Sequence, residues 1–236
     1  MAANSSASSA ISRIGSAQIS AKCAFATGAT NGLGSRTTLD CGAPVHGSPI
    51  TPDPLLRIEP PAYTGCKGLP DGNPSVLEPG TYCGKTLTGD ITLQPGNYIL
   101  RGGQISLGGG GSLAGDGATI FLMDGAAMTL DGNQTISLKA PAAGDFQGIA
   151  IYQERGNSNQ LTLTGASGSA ITGFIYAPSA HIRYRGNSAT SGDGECIRIV
   201  GSTIDLLGNS SIELDCESEL GGRDIKAGDQ HPRIVE

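Results

Sequence analysis

Six cysteines carry the clearest chemical signal in this 236-residue chain: Cys23, Cys41, Cys66, Cys83, Cys196 and Cys216 form three sequence-local pairs spaced 18, 17 and 20 residues apart. None of those spacings gives the close C-x₂₋₄-C ligand pairs of a structural zinc site. An even count in a glycine-rich chain favours disulfides and an oxidising compartment. The other reactive side chains are sparse. The histidines are His46, His181 and His231. No nucleophilic Ser or Cys is paired with any of them in the sequence, and each is expected to be solvated. Asp193 and Glu195 flank a glycine in Ser191-Gly-Asp-Gly-Glu, which supplies too few ordered oxygens for a calcium loop. Gly108–Gly111 is a run of four glycines without the Lys-Ser/Thr of a phosphate loop, so it reads as a turn.

The elements that would position these residues come from a recurring phrase. Ile105-Ser-Leu107-Gly, Met128-Thr-Leu130-Asp-Gly132-Asn133, Leu161-Thr-Leu163-Thr-Gly165, Ile182-Arg-Tyr184-Arg-Gly186-Asn187 and Ile204-Asp-Leu206-Leu-Gly208-Asn209 recur with a period near 22 residues, one step carrying an insertion of about ten. Such a period marks a solenoid. A second, more apolar strand precedes most copies, as in Thr119-Ile-Phe-Leu-Met123 and Gly148-Ile-Ala-Ile-Tyr152, and a third follows the glycine turn, as in Thr135-Ile-Ser-Leu138. No segment carries a 3.6-residue apolar period. The fold class expected is all-β: a right-handed parallel β-helix with three short strands per rung. Composition agrees, with 15% charged residues, 4% aromatics, 37 Gly and no Trp, so the core must be stacked aliphatics. A net charge of −6 with scattered basic residues leaves no footprint for nucleic acid or an anionic membrane surface.

One domain over 1–236 is expected. Residues 1–43 form irregular rungs or a cap, because Ile11-Ser-Arg13-Ile14-Gly15 resembles the phrase but puts Arg13 where an apolar residue belongs. Residues 44–79 contain nine prolines and read as an extended strap over one face or end, since proline removes ladder donors. Residues 80–216 are the regular rungs and 217–236 a tail. The first forty residues and the segment after Cys216 are the candidate caps for open ends. Stacking rungs about 4.8 Å apart places Ile105, Met128, Leu161, Ile182 and Ile204 in one inward column, and Leu107, Leu130, Leu163, Tyr184 and Leu206 in a second. Stacking also favours sequential cysteine pairing, because it brings residues one period apart together. Asn133, Asn187 and Asn209 read as a turn-stabilising ladder.

The outward positions test for an enzyme. Polysaccharide cleavage needs converging carboxylates. The outward residues, rung by rung, are Ser106, Thr129, Thr162, Arg183 and Asp205, then Gly108, Asp131, Thr164, Arg185 and Leu207. They form no acidic column, and Arg183 beside Asp205 reads as one cross-rung ion pair. No catalytic residue, metal site or cofactor is therefore expected.

Several phrases carry a family resemblance: Leu77-Glu-Pro-Gly-Thr-Tyr-Cys83-Gly, Leu93-Gln-Pro-Gly-Asn-Tyr-Ile-Leu-Arg-Gly-Gly103, Gly117-Ala-Thr-Ile-Phe-Leu122, Gly148-Ile-Ala-Ile-Tyr-Gln153, Ile175-Tyr-Ala-Pro-Ser179 and Gly208-Asn-Ser-Ser211. Together they resemble the C-terminal extracytoplasmic region of TadG-type proteins of the tight-adherence (Flp) pilus assembly system of Gram-negative bacteria. The resemblance implies a non-enzymatic structural or adhesive surface module. It also implies pilus or cell-envelope proteins, or surface glycans, as partners, and membrane contact only through an anchor absent from this chain. The Thr-x-Thr and Leu-x-Pro-Gly-x-Tyr phrases are also similar to bacterial ice-binding β-solenoids, a lesser alternative because Arg183 and Asp205 interrupt the outward column. A polysaccharide-binding or polysaccharide-degrading β-helix is the other alternative.

Overall fold

The computed structural model describes residues 1–69, 75–166, 168–185, 197–208 and, as backbone, 211–213. These residues form an all-β solenoid of about nine turns, with roughly 22 residues per turn. Each turn presents up to three strands, one to each face of a triangular section. One complete turn runs Ser112–Asp116 on face three, Ala118–Met123 on face one and Ala127–Asp131 on face two. The next runs Thr135–Lys139, Ile149–Gln153 and Leu161–Thr164. All pairing between turns is parallel, with Leu113 opposite Ile136, Ile120 opposite Ile151 and Met128 opposite Leu161. Glycines make the corners. In the Gly108–Gly111 turn Gly110 has φ +89°, and a Cβ on Gly111 would lie 2.6 Å from the carbonyl oxygens of Gly89 and Leu107, so no larger residue fits there.

The interior follows the repeat. Leu87, Ile105, Met128, Leu161, Ile182, Ile204 and Ile11 are successive register partners in one column, and all are buried. Leu130, Leu163, Tyr184 and Leu206 stack in a second column. Each fully buried aliphatic contributes about 1.5–3 kcal/mol, and no rung could bury its inner face without neighbours. The second column ends at Arg13, the partner of Leu206. Its guanidinium satisfies backbone carbonyls instead, donating to Gly32 O at 2.6 Å and Gly15 O at 2.7 Å.

The order of the coils departs from the order of the chain. Strands from Ser75 to Leu207 stack in sequence. The amino-terminal strands continue the stack beyond Ile197–Leu207, at the end opposite Ser75. Ala2 pairs with Val200 on one side and Phe25 on the other, and Ile11–Ile14 lies between Ile204–Leu207 and Thr30–Asn31. Ser211–Glu213 pairs with Gln18–Ala21, which pairs with Thr37–Leu39. One turn is therefore composite, taking face three from residues 211–213 and faces one and two from residues 2–14. Residues 1–43 thus lie at one end of the stack, and the segment after Cys216, the other expected cap, lies outside the described residues. The outermost amino-terminal strand, Val45–His46, pairs with Phe25–Ala26. Its His46 is not merely solvated, because Nδ1 accepts the Thr30 N–H at 3.2 Å and so blocks an exposed ladder donor.

At the opposite end the Cys66–Cys83 disulfide and Lys67 N–H, which donates to Thr81 O at 2.6 Å, tie residues 66–67 to the first described face-one strand. Cys23–Cys41 pins the amino-terminal coils. Both bonds follow the sequential pairing. Cys196 and Cys216 lie outside the described residues, as do Asn187, Asn209 and His231.

Candidate docking cleft beside a proline-rich strap

Residues 47–69 cross face one from the last amino-terminal coil to the Ser75 end, as an extended chain rich in proline must when it cannot join a ladder. Face one is apolar on both sides. Its inward residues join the main core, while Ile99, Phe121, Tyr152 and Tyr176 form an outward file of register partners. Leu55, 2% exposed, packs into that outer layer with Ile58 and Tyr63. Phe146, in the insertion before Ile149, stands edge-on to Phe121 with ring centroids 4.8 Å apart. The strand Ala118–Met123 is consequently buried at every position.

Polar groups lock the strap. Arg155 follows the face-one strand Ile149–Gln153 and donates through Nε to Asp53 Oδ2 at 2.8 Å, and through its terminal nitrogen to Leu55 O at 2.6 Å and Ile58 O at 3.3 Å. Tyr176 donates its hydroxyl to the same Asp53 oxygen at 2.7 Å, and Leu55 N–H caps Oδ1 at 2.8 Å. Burial acts to raise the Asp53 carboxyl pKa, but the hydrogen bonds from Arg155, Tyr176 and Leu55 and the Arg155 charge outweigh it, leaving the group below its ordinary value of 3.8. Tyr176 moves the other way: burial, then donation to the Asp53 anion, pushes its hydroxyl up. The Arg155 loop is itself fixed. Gln153 donates to Asn157 O and Asn159 O at 2.9 and 2.8 Å, and Asn157 donates to Ala126 O at 2.8 Å. Farther along, Arg101 sits 4.5 Å above the Tyr63 ring and holds Asp124 at 2.5 Å. Asn4 and Thr51 exchange two hydrogen bonds at 2.8 and 2.9 Å.

Beside residues 50–54 of the strap lies a cleft of about 490 Å³ over the coils that follow Tyr176. Phe174, Tyr176, Val200, Ala2 and Phe25 form much of its floor, Ile50 and Pro52 one wall, and Lys22 and Arg198 belong to its lining. The floor continues the outward file: Tyr176 is followed by Val200, Ala2, Phe25 and Val45 in register. The volume falls within the range of about 300–1,000 Å³ common for ligand sites, and apolar lining with a few polar groups is their usual character.

The residues singled out by sequence fall elsewhere. Arg183 and Asp205 are register partners on face two, yet the carboxylate bonds differently. Its Oδ1 accepts the Ser12 hydroxyl, and its Oδ2 lies 3.0 Å from His181 Nε2. The two partners come from the coils on either side, so Asp205 ties the composite turn to its neighbours, and His181 is not simply solvated. The carboxylate stands between hydroxyl and imidazole, so Ser12 donates to Asp205 rather than to His181. Thr162 and Thr164 point outward but are only 4% and 8% exposed. Gln160 covers Thr162, donating to its hydroxyl at 2.9 Å, and Thr164 donates to Leu130 O at 3.1 Å. The Gly108–Gly111 run is a corner, with Gly108 O accepting the Gln134 amide at 2.7 Å. Asp193 and Glu195 lie outside the described residues.

Sequence reasoning drew the strap over 44–79, whereas Val45–His46 and Ser75–Leu77 are ladder strands and the covering stretch described is 47–69, and it missed the cleft. The only available signal was the apolar character of alternate face-one residues outside the main core. No protein-family model matches the chain, and neither a curated protein nor a solved structure matches it. The two disulfides point to an oxidising, extracytoplasmic compartment. Among the described residues no helix is long and apolar enough to cross a membrane.

Proposed function

We propose that the chain is a non-enzymatic structural or adhesive module of the Gram-negative cell envelope, contributing to pilus assembly or surface attachment. The observation that carries this reading is the fastening of the solenoid. A latched strap runs along the stack, with one disulfide near each end, and among the described residues a preformed apolar cleft lies beside it. A rigid body with a ready-made cleft suits holding a partner, because little ordering is required on contact. The phrases from Leu77 to Ser211 that resemble TadG-type proteins supply the pilus setting.

The test removes the coding segment from its host and reads Flp-type pili by electron microscopy and attachment by surface-retention assay. Loss of either, restored by complementation, is expected. Unchanged pili and attachment refute the reading, as does depolymerisation of a polysaccharide by the purified protein. Reshaping of ice crystals at micromolar protein would favour the ice-binding alternative instead.

A further inference from the structure

The composite turn leaves the carboxy-terminal segment without a place in the ladder. In a regular coil the chain passes from face three to face one, as Ser112–Asp116 does into Ala118–Met123. Ser211–Glu213 lies on face three, with Glu213 opposite Ser20. The face-one position that would follow it is already filled by Ala2–Ala3, which pairs with Val200–Gly201 on one side and Phe25–Ala26 on the other. Met1 occupies the corner itself, its amino group donating to Cys23 O at 2.8 Å. The chain beyond Glu213 therefore cannot continue the coil. The apolar core blocks the inward direction, so the chain must turn outward at the corner between faces three and one.

That corner is one end of the cleft. Met1, Lys22 and Cys23 belong to the lining, and the last two follow Ser20 by two and three residues, so Glu213 lies on the order of 10 Å from it. Phe25 and Ile50 are 39% and 69% exposed beside the cleft, large apolar side chains next to a concavity. We propose that the carboxy-terminal segment covers them: residues 214–236 fold back from the corner and seat Leu220 and Ile225 in the cleft. The length suffices, because Leu220 and Ile225 come seven and twelve residues after Glu213, at up to roughly 3.3–3.6 Å each. They are also the only large aliphatic residues between Cys216 and His231. Pairing of Cys196 with Cys216, in the sequential pattern of the other four cysteines, would tether the segment at this same corner. Cys196 immediately precedes Ile197, whose strand supplies Ile199 and Val200 to the lining.

A tethered occupant needs little affinity of its own. A short linker gives an effective concentration in the millimolar range, so a contact too weak to hold a free peptide keeps the attached one seated. The seated segment stands independently of the attachment reading, and any partner that uses the cleft must first displace it. The full chain contains no Trp, so single tryptophans can report on each side of the contact by acrylamide quenching. Ile50→Trp places one on the cleft wall. Adding Leu220→Asp with Ile225→Asp should release the segment and raise the quenching constant of that reporter about threefold or more. Reciprocally, a Leu220→Trp reporter should be shielded in the otherwise native chain and opened to the quencher when Ile50→Asp is added. Ile50 lies in the strap and outside any ladder, and a thermal melt confirms the fold of each variant.

Equal quenching of the Ile50→Trp reporter with and without the two tail substitutions overturns the proposal, whether that reporter is open throughout or shielded by another part of the chain. Shielding of the Leu220→Trp reporter that Ile50→Asp leaves unchanged would seat the segment elsewhere and overturns it too. Shielding that disappears on dilution would make a second copy the occupant, with the same consequence. Normal pili and attachment in the deleted strain count against the attachment reading alone and bear on neither quenching result.

Discussion

Replacing Arg155 by Met tests whether the strap is held by a specific latch rather than by general adhesion. Met keeps much of the aliphatic stem but removes the donors to Asp53 at 2.8 Å, Leu55 O at 2.6 Å and Ile58 O at 3.3 Å. It leaves Asp53 with only Tyr176 and the Leu55 N–H. Removing one member of a fully buried pair costs about 3–5 kcal/mol, and exposed pairs contribute about 0–1. The Arg155 and Asp53 side chains are 34% and 23% exposed, which places the loss near 2 kcal/mol between those limits. That raises the population with a detached strap about 30-fold. Trypsin provides the assay, because Arg57 is exposed in the middle of the strap. Where opening and closing outpace cleavage, the cutting rate follows the open population. Cleavage after Arg57 should therefore accelerate by about that factor, while the far-ultraviolet β signal of the intact coils stays unchanged. A change smaller than about threefold would refute the latch, and concerted loss of the β signal would refute a separately detachable strap.

The same latch sets a pH dependence. Asp53 is held below 3.8 when folded, so its contribution is present above that value and is lost as pH falls through the lower folded value. Strap cleavage by an acid-active protease should rise over that interval in the native protein and much less in Arg155→Met. Leu163→Asp, at a position 1% exposed in the inner column, should bury an unpaired charge and unfold several coils together. Ser137→Asp, exposed on face three, should shift the melting temperature little; equal shifts would overturn the register. Replacing both Cys66 and Cys83 by Ser opens a link spanning 17 residues, with an expected cost near 3 kcal/mol. It should speed cutting after Lys67, measured by peptide mapping, and unchanged cutting would show that Lys67–Thr81 pairing suffices.

What was legible in the sequence was whatever the period of 22 carries. The columns from Ile105 to Ile204 and from Leu130 to Leu206 repeat one position per turn, so register follows from spacing. Arg13 was visible as the odd member of its column, although its bonds to Gly32 O and Gly15 O were not. The strap was legible from its prolines. Its latch was not, because Asp53 and Arg155 lie 102 residues apart and neither belongs to the repeat. Spacing also misled at Asp205. Register placed Arg183 opposite it, but His181 and Ser12 reach its two oxygens, and Ser12 belongs to a coil whose position no period could indicate. Thr162 was assigned to solvent by alternation alone, which cannot register the Gln160 side chain folding over it.

The composite turn imposes an order of events on the newborn chain. Ser12 and Asp205, which touch across it, are 193 residues apart in sequence. At about 5–20 residues per second the amino-terminal strands wait on the order of ten seconds or more for the coil that will receive them to be made. During that wait Ala2–Ala3 and Ile11–Ile14 have partners on one side only, in Phe25–Ala26 and Thr30–Asn31, their other edge being the one that meets Ile197–Leu207, and joining segments so distant is entropically slow. The last contacts to form then join the strands made earlier to a coil made much later. A holdase acting on this chain during export should grip residues 1–46, releasing them only when Ile197–Leu207 arrives.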